Sequence, residues 1–126
     1  MAMRTPLKNV RHLGSAKEGA DHFWKQRVTA VALLVLCTVA TAVIVSLIGA
    51  DHATVKRTIA NPLVALMFLL LIGAGVIHMR LGMQVIIEDY VRAENSKIVL
   101  LMLNTFFSVA VGVACVFAVL KLSFGV

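Results

Sequence analysis

The residues able to do chemistry stand on one stretch of chain. His78 lies inside the second of three long apolar runs, and the acid–phenol pair Asp89-Tyr90 follows eleven and twelve residues on, where that run gives out. An ionisable group at membrane depth is costly, so by default it is functional and faces a protein interior or a cofactor. On a helix, Gly82, Val85 and Asp89 share the face of His78, and Ala74 and Gly75 lie one turn before it. These small neighbours make a shallow trough around an imidazole. Two chemistries fit it. A neutral imidazole nitrogen is an axial ligand for haem iron, and small residues on either side let a flat porphyrin approach. Alternatively, the histidine bonds a neighbouring helix and the glycines serve helix packing.

Asp89 lies on that same face, about 16 Å further along at 1.5 Å per residue. A quinone head group needs a hydrogen-bond donor and a route for protons from water. The Tyr90 phenol is such a donor, and the Asp89 carboxylate beside it can hold that hydroxyl or relay protons. The plain alternative is an aromatic-belt tyrosine next to a solvated acid. Arg80, two residues from His78, points to roughly the opposite face. Its guanidinium can reach headgroups, a partner's carboxylate or a haem propionate. Met67, Met79, Met83 and Met102 read as packing residues, as do Cys37 and Cys115, which sit in different apolar runs with no CxxC. His12, His22 and His52 all fall outside the apolar runs, so a second axial ligand must come from another subunit.

These side chains must be positioned by membrane helices. The 126 residues are 60% hydrophobic and only 14% charged, with a mean hydropathy of +0.95, whereas a soluble domain carries about a quarter charged residues. The apolar residues predict transmembrane helices at about 28–50, 62–87 and 98–120, each near the roughly 20 residues needed to span the hydrocarbon core. The fold class is an all-α membrane protein, a single membrane-anchor domain over 1–126 with an arm at 1–27 and two tight loops. Asn61-Pro62 opens the second span, with asparagine as N-cap and proline at the first helical position. Three helices leave so much apolar surface that the chain reads as part of a multi-subunit helical bundle.

The net charge of +6 speaks to topology. Arg4, Lys8, Arg11, Lys17, Lys25, Arg27, Arg92 and Lys97 fall on one side of the membrane, against Lys56, Arg57 and Lys121 on the other. The positive-inside rule places the N-terminus in the cytoplasm, together with Asp89 and Tyr90. The first apolar run is too long for a signal-peptide core. A transporter or proton channel would want polar residues on both sides of the midplane, but the first and third spans offer only hydroxyls and Asn104.

The string His78-Met-Arg-Leu-Gly82-Met-Gln84-Val-Ile-Ile-Glu-Asp89-Tyr90 resembles the signature of the small membrane-anchor subunits of succinate dehydrogenase, respiratory complex II. That pattern is His, Gly four on, Gln two further, then Asp-Tyr. Gly19, Phe23, Arg27 and Thr29-Ala30 resemble the family's segment entering its first helix. The likeness runs from Gly14 through nearly the whole chain. It implies that His78 is one axial ligand of haem b, the other coming from the larger cytochrome b anchor subunit. It also implies that Arg27 approaches a haem propionate, and that Tyr90 donates to a ubiquinone carbonyl with Asp89 beside it. FAD and iron–sulfur clusters would lie on a flavoprotein and an iron–sulfur subunit, where succinate is oxidised, with the assembly in the bacterial inner (cytoplasmic) membrane. The sequence departs from the pattern in two places. Arg80 stands where some relatives carry an uncharged residue, and Asp21-His22 reverses a His-Asp order, so no role passes to His22. Fumarate-reducing cousins share the family, and a haem-free structural anchor of that type is the competing reading.

Overall fold

The computed structural model describes residues 18–125. Expectations for Arg4, Lys8, Arg11, His12 and Lys17 lie outside them. The described residues form α1 (Glu18–Ser46), α2 (His52–Ile59), α3 (Pro62–Tyr90) and α4 (Glu94–Phe124). Three of these, α1, α3 and α4, are long and apolar enough to cross a membrane, and the chain is an all-α, multi-pass membrane protein.

The spans are longer than their apolar runs. Residues 18–27, expected as part of an arm, are the first turns of α1. Local pairs stabilise a helix there that hydropathy cannot register. Lys25 pairs with Asp21 one turn earlier, with the acid N-terminal to the base, the better order. The Arg27 guanidinium sits 4.7 Å from the centre of the Phe23 ring, and Phe23 meets Trp24 edge-on at 5.9 Å. At its other end α1 stops at Ser46, short of the expected 50. Leu47 N–H donates to Ile44 O at 3.1 Å and Ile48 N–H to Val45 O at 3.2 Å, the tightened bonds of a last turn. Gly49 then takes φ 81°, a left-handed conformation that glycine adopts without strain.

The first loop holds a helix that was not expected. Asp51, extended at φ −71° and ψ 160°, heads the eight residues of α2, and Lys56 and Arg57 occupy its last turn, where cations favour the helix dipole. It packs against α3 and α4. The start of α3 is as predicted: Pro62 stands in the first turn and the Asn61 side chain accepts from Leu63 N–H at 3.0 Å. α3 continues past the apolar run at 87 to Tyr90, so Asp89 and Tyr90 stand on the helix of His78, in its last turn, as their spacing implied. That turn is secured by Lys97, whose Nζ donates to the Glu88 carbonyl at 3.0 Å, and by Gln84, which donates to the Glu88 carboxylate at 2.8 Å. α4 extends past its apolar run at both ends, opening beside Asn95-Ser96 and running to Ser123-Phe124 as expected, and closes on Gly125 at φ 73°, whose N–H returns to Lys121 O.

Among the described residues, α1 and α4 each pack on α3 and not on each other. One groove runs between α1 and α3, and another is walled by all three spans. Val76 of α3 meets α4 so closely that a Cβ on Gly112 would come within 3.1 Å of its Cγ2, and Asn104 Nδ2 donates to the Arg80 carbonyl at 3.0 Å. The interior is small: among the described residues Ala40, Ala65, Ile87 and Ser108 are the buried ones. Side chains such as Leu34 and Phe117 are 71% and 65% exposed, an outward apolar surface suited to lipid and partner helices. Cys37 and Cys115 are unpaired and exposed on α1 and α4.

Candidate functional site

The site is built where α1 crosses α3. His22, Gln26, Thr29 and Leu33 recur at helical spacing and form one face of α1. The facing side of α3 offers Gly75, His78 and Gly82. Because the helices run antiparallel, Leu33 lies against Gly75, Thr29 against His78 and Gln26 against Gly82. Small residues on α3 let the backbones approach.

His78 is half-buried and anchored through its ring: Thr29 Oγ1 lies 3.1 Å from Nδ1. The same hydroxyl donates into its own helix, 2.7 Å from Lys25 O and 3.1 Å from Gln26 O. Beside this contact an open groove of about 470 Å³ is lined by Gly19, His22, Phe23, Gln26, Arg27, Ala30, His78, Gly82 and Val85. His78 and Arg27, both singled out from sequence, are thus brought together on it. Two buried polar atoms, His22 Nε2 and Gln26 Oε1, have no hydrogen-bond partner among the described residues. Leaving a buried donor or acceptor unmet costs about 1–3 kcal/mol, so each of these atoms can take a further polar partner. Neither residue was assigned a role from sequence. Their signal was the face they share with Thr29, hidden because the helix was expected to start at 28.

The trough expected around His78 differs in detail. Gly82 lines the groove, but Gly75 turns toward Leu33 of α1, where an added Cβ would make an ordinary contact at 3.9 Å. Ala74 is not part of the lining. Arg80 lies on the other side, lining a second groove of about 630 Å³ with Trp24, Lys25 and Ser108. That groove also includes Thr29, the residue in contact with His78. Asp89 and Tyr90 are outside the His78 groove as well. They are exposed, Tyr90 at 81%, on the last turn of α3. Among the described residues no three His, Cys, Asp or Glu side chains come together to hold a metal ion. His78 can serve iron only as a single ligand, which is how a porphyrin uses an axial histidine.

Fold and site together define a class: a three-span membrane subunit with one intramembrane histidine on an open groove between its first two spans. The family described as succinate dehydrogenase/fumarate reductase transmembrane subunit matches residues 1–118, and the chain belongs to that family. It is 32% identical over 121 residues to the succinate dehydrogenase hydrophobic membrane anchor subunit of Paracoccus denitrificans, covering 96% of this chain and 93% of that protein. It is 30% identical over 117 residues to the subunit of the same name from Rickettsia bellii, covering 92% and 93%. The counterpart from Rickettsia conorii is 27% identical over 118 residues, covering 91% and 92%. No solved structure matches.

Proposed function

We propose that this chain is the membrane-anchor subunit of a succinate:quinone oxidoreductase in the bacterial cytoplasmic membrane. It holds the flavoprotein and iron–sulfur subunits on the membrane, supplies His78 as one axial ligand of haem b, and contributes Tyr90 and Asp89 to the ubiquinone-reduction site. The larger anchor subunit supplies the second axial ligand. FAD and the iron–sulfur clusters reside on the soluble subunits, where succinate is oxidised.

The observation that carries this reading is the His78 groove in a chain of this family. One wall bears an imidazole on a small-residue face. The rim bears the Arg27 guanidinium and the unmet His22 and Gln26 atoms. The Arg27 N–H groups can donate to carboxylates at the edge of a plate with a metal at its centre, whereas Gln26 Oε1 can only accept. Arg27, stacked on Phe23, offers a charge-assisted bond to a propionate. Bound there, a haem supplies a one-electron carrier within the membrane. The protein's own work is to present a neutral imidazole nitrogen, neutralise the carboxylates and exclude water by α1 and the partner helices. This groove favours a haem-bearing anchor over a haem-free one. The family description spans both succinate and fumarate enzymes, so membership of the family does not fix the direction of turnover.

Affinity purification through this chain from detergent-solubilised membranes tests the anchor role. A flavin-containing subunit and an iron–sulfur subunit are expected in equal amounts with it, together with succinate–quinone reductase activity. Recovery of this chain alone under conditions that preserve the native complex contradicts the reading.

A further inference from the structure

We propose that Thr29 is the positioning residue that fixes the tautomer of His78, taking the Nδ1 proton in a hydrogen bond and leaving Nε2 bare as the iron ligand. The inference rests on the haem reading above and adds to it a residue on the other helix.

The argument is a count of protons. Thr29 Oγ1 has three close neighbours: Lys25 O at 2.7 Å, Gln26 O at 3.1 Å and His78 Nδ1 at 3.1 Å. A hydroxyl carries one proton and two lone pairs, and a carbonyl oxygen can only accept. A 2.7 Å approach between hydroxyl and carbonyl oxygens is attractive only with the proton between them. The threonine proton therefore belongs to the carbonyls of its own helix. That leaves Oγ1 facing Nδ1 as an acceptor, and the contact is a hydrogen bond only if Nδ1 carries the ring proton. Neutral imidazole has one such proton, so Nε2 holds the lone pair.

Two consequences concern the metal. A fixed Nδ1–H holds the ring plane and removes the competing tautomer, whose Nε2–H cannot ligate. A hydrogen bond from the distal N–H also makes a histidine ligand more basic, and the loss of such a partner typically weakens metal binding about 10- to 100-fold. A more basic ligand favours ferric over ferrous iron, so the Thr29 bond lowers the haem potential. The β-branch of threonine restricts χ1, which keeps the hydroxyl aimed across the helix pair. Serine keeps the bond with less restraint, and valine keeps the shape without the acceptor.

The test uses the purified complex with wild-type, Thr29→Ser and Thr29→Val chains. Two readouts are taken: the midpoint potential of the b-type band, and the rate of haem loss to an excess of haem-scavenging apoprotein. Thr29→Val is expected to shift the potential upward and to speed haem loss about 10-fold or more, with Thr29→Ser close to wild type in both. Thr29→Ala carries the same expectation as valine and replaces it should the valine complex not assemble. A valine or alanine variant with wild-type potential and wild-type haem loss overturns the inference while the haem reading stands. A wild-type complex with no b-type band overturns both.

Discussion

Gly82→Leu is expected to strip the complex of haem. Gly82 lines the groove one turn from His78, and its open side faces Gln26. A Cβ there would lie 3.5 Å from Gln26 Nε2, an ordinary contact, so Gly82→Ala is expected to retain nearly the full haem content. Leucine adds three further carbons, and the groove is where they must go. A ligating histidine with a branched side chain one turn away cannot bring a flat macrocycle to bonding distance. Haem content per flavin, measured as the pyridine haemochrome, is expected to fall about 10-fold or more in the leucine variant, the scale of losing a ligand's supporting shell. Full haem content in a leucine variant would place the macrocycle elsewhere.

The second large effect is at the end of α3. Tyr90→Phe keeps the ring at the membrane boundary and removes one hydroxyl. Tyr90 is 81% exposed on the last turn of its helix, and Lys97 on the Glu88 carbonyl secures that turn, so the substitution has no packed interior to disturb. A donor aimed at a carbonyl that gains negative charge on reduction is worth more in the transition state than in binding. Quinone reduction by the complex is therefore expected to slow about 10- to 100-fold. Succinate oxidation by a soluble electron acceptor, which bypasses the membrane, is expected to continue at the wild-type rate, and the haem band is expected to be unchanged. An unaltered quinone rate would reduce Tyr90 to an aromatic anchor.

Hydropathy and one signature carried much of this in advance. Three runs of apolar residues required three spans, since a membrane segment must satisfy its own backbone, and Asn61-Pro62 marked a helix start that the structure places there. Hydropathy failed at the ends. It stops counting where charges begin, yet Asp21 with Lys25 and Phe23 with Arg27 support helix in that very segment. The early start of α1 is what puts His22, Gln26 and Thr29 on one face, so the site residues overlooked in the sequence all follow from one misplaced boundary. α2 escaped because its eight residues are polar on average and a scan for long apolar runs passes over so short an amphipathic helix. The orientation of Arg80 was legible from its spacing to His78. Which groove it lines required knowing that α1, α3 and α4 together wall a space beside Arg80.

The central claim is that His78 is a haem ligand. The most direct measurement is the reduced-minus-oxidised optical spectrum of the complex purified through this chain, wild type beside His78→Ala. The account predicts a b-type α-band in the wild type that is lost or shifted in the variant. A wild-type complex without the band, or a variant whose band is unchanged in position and size, would contradict it.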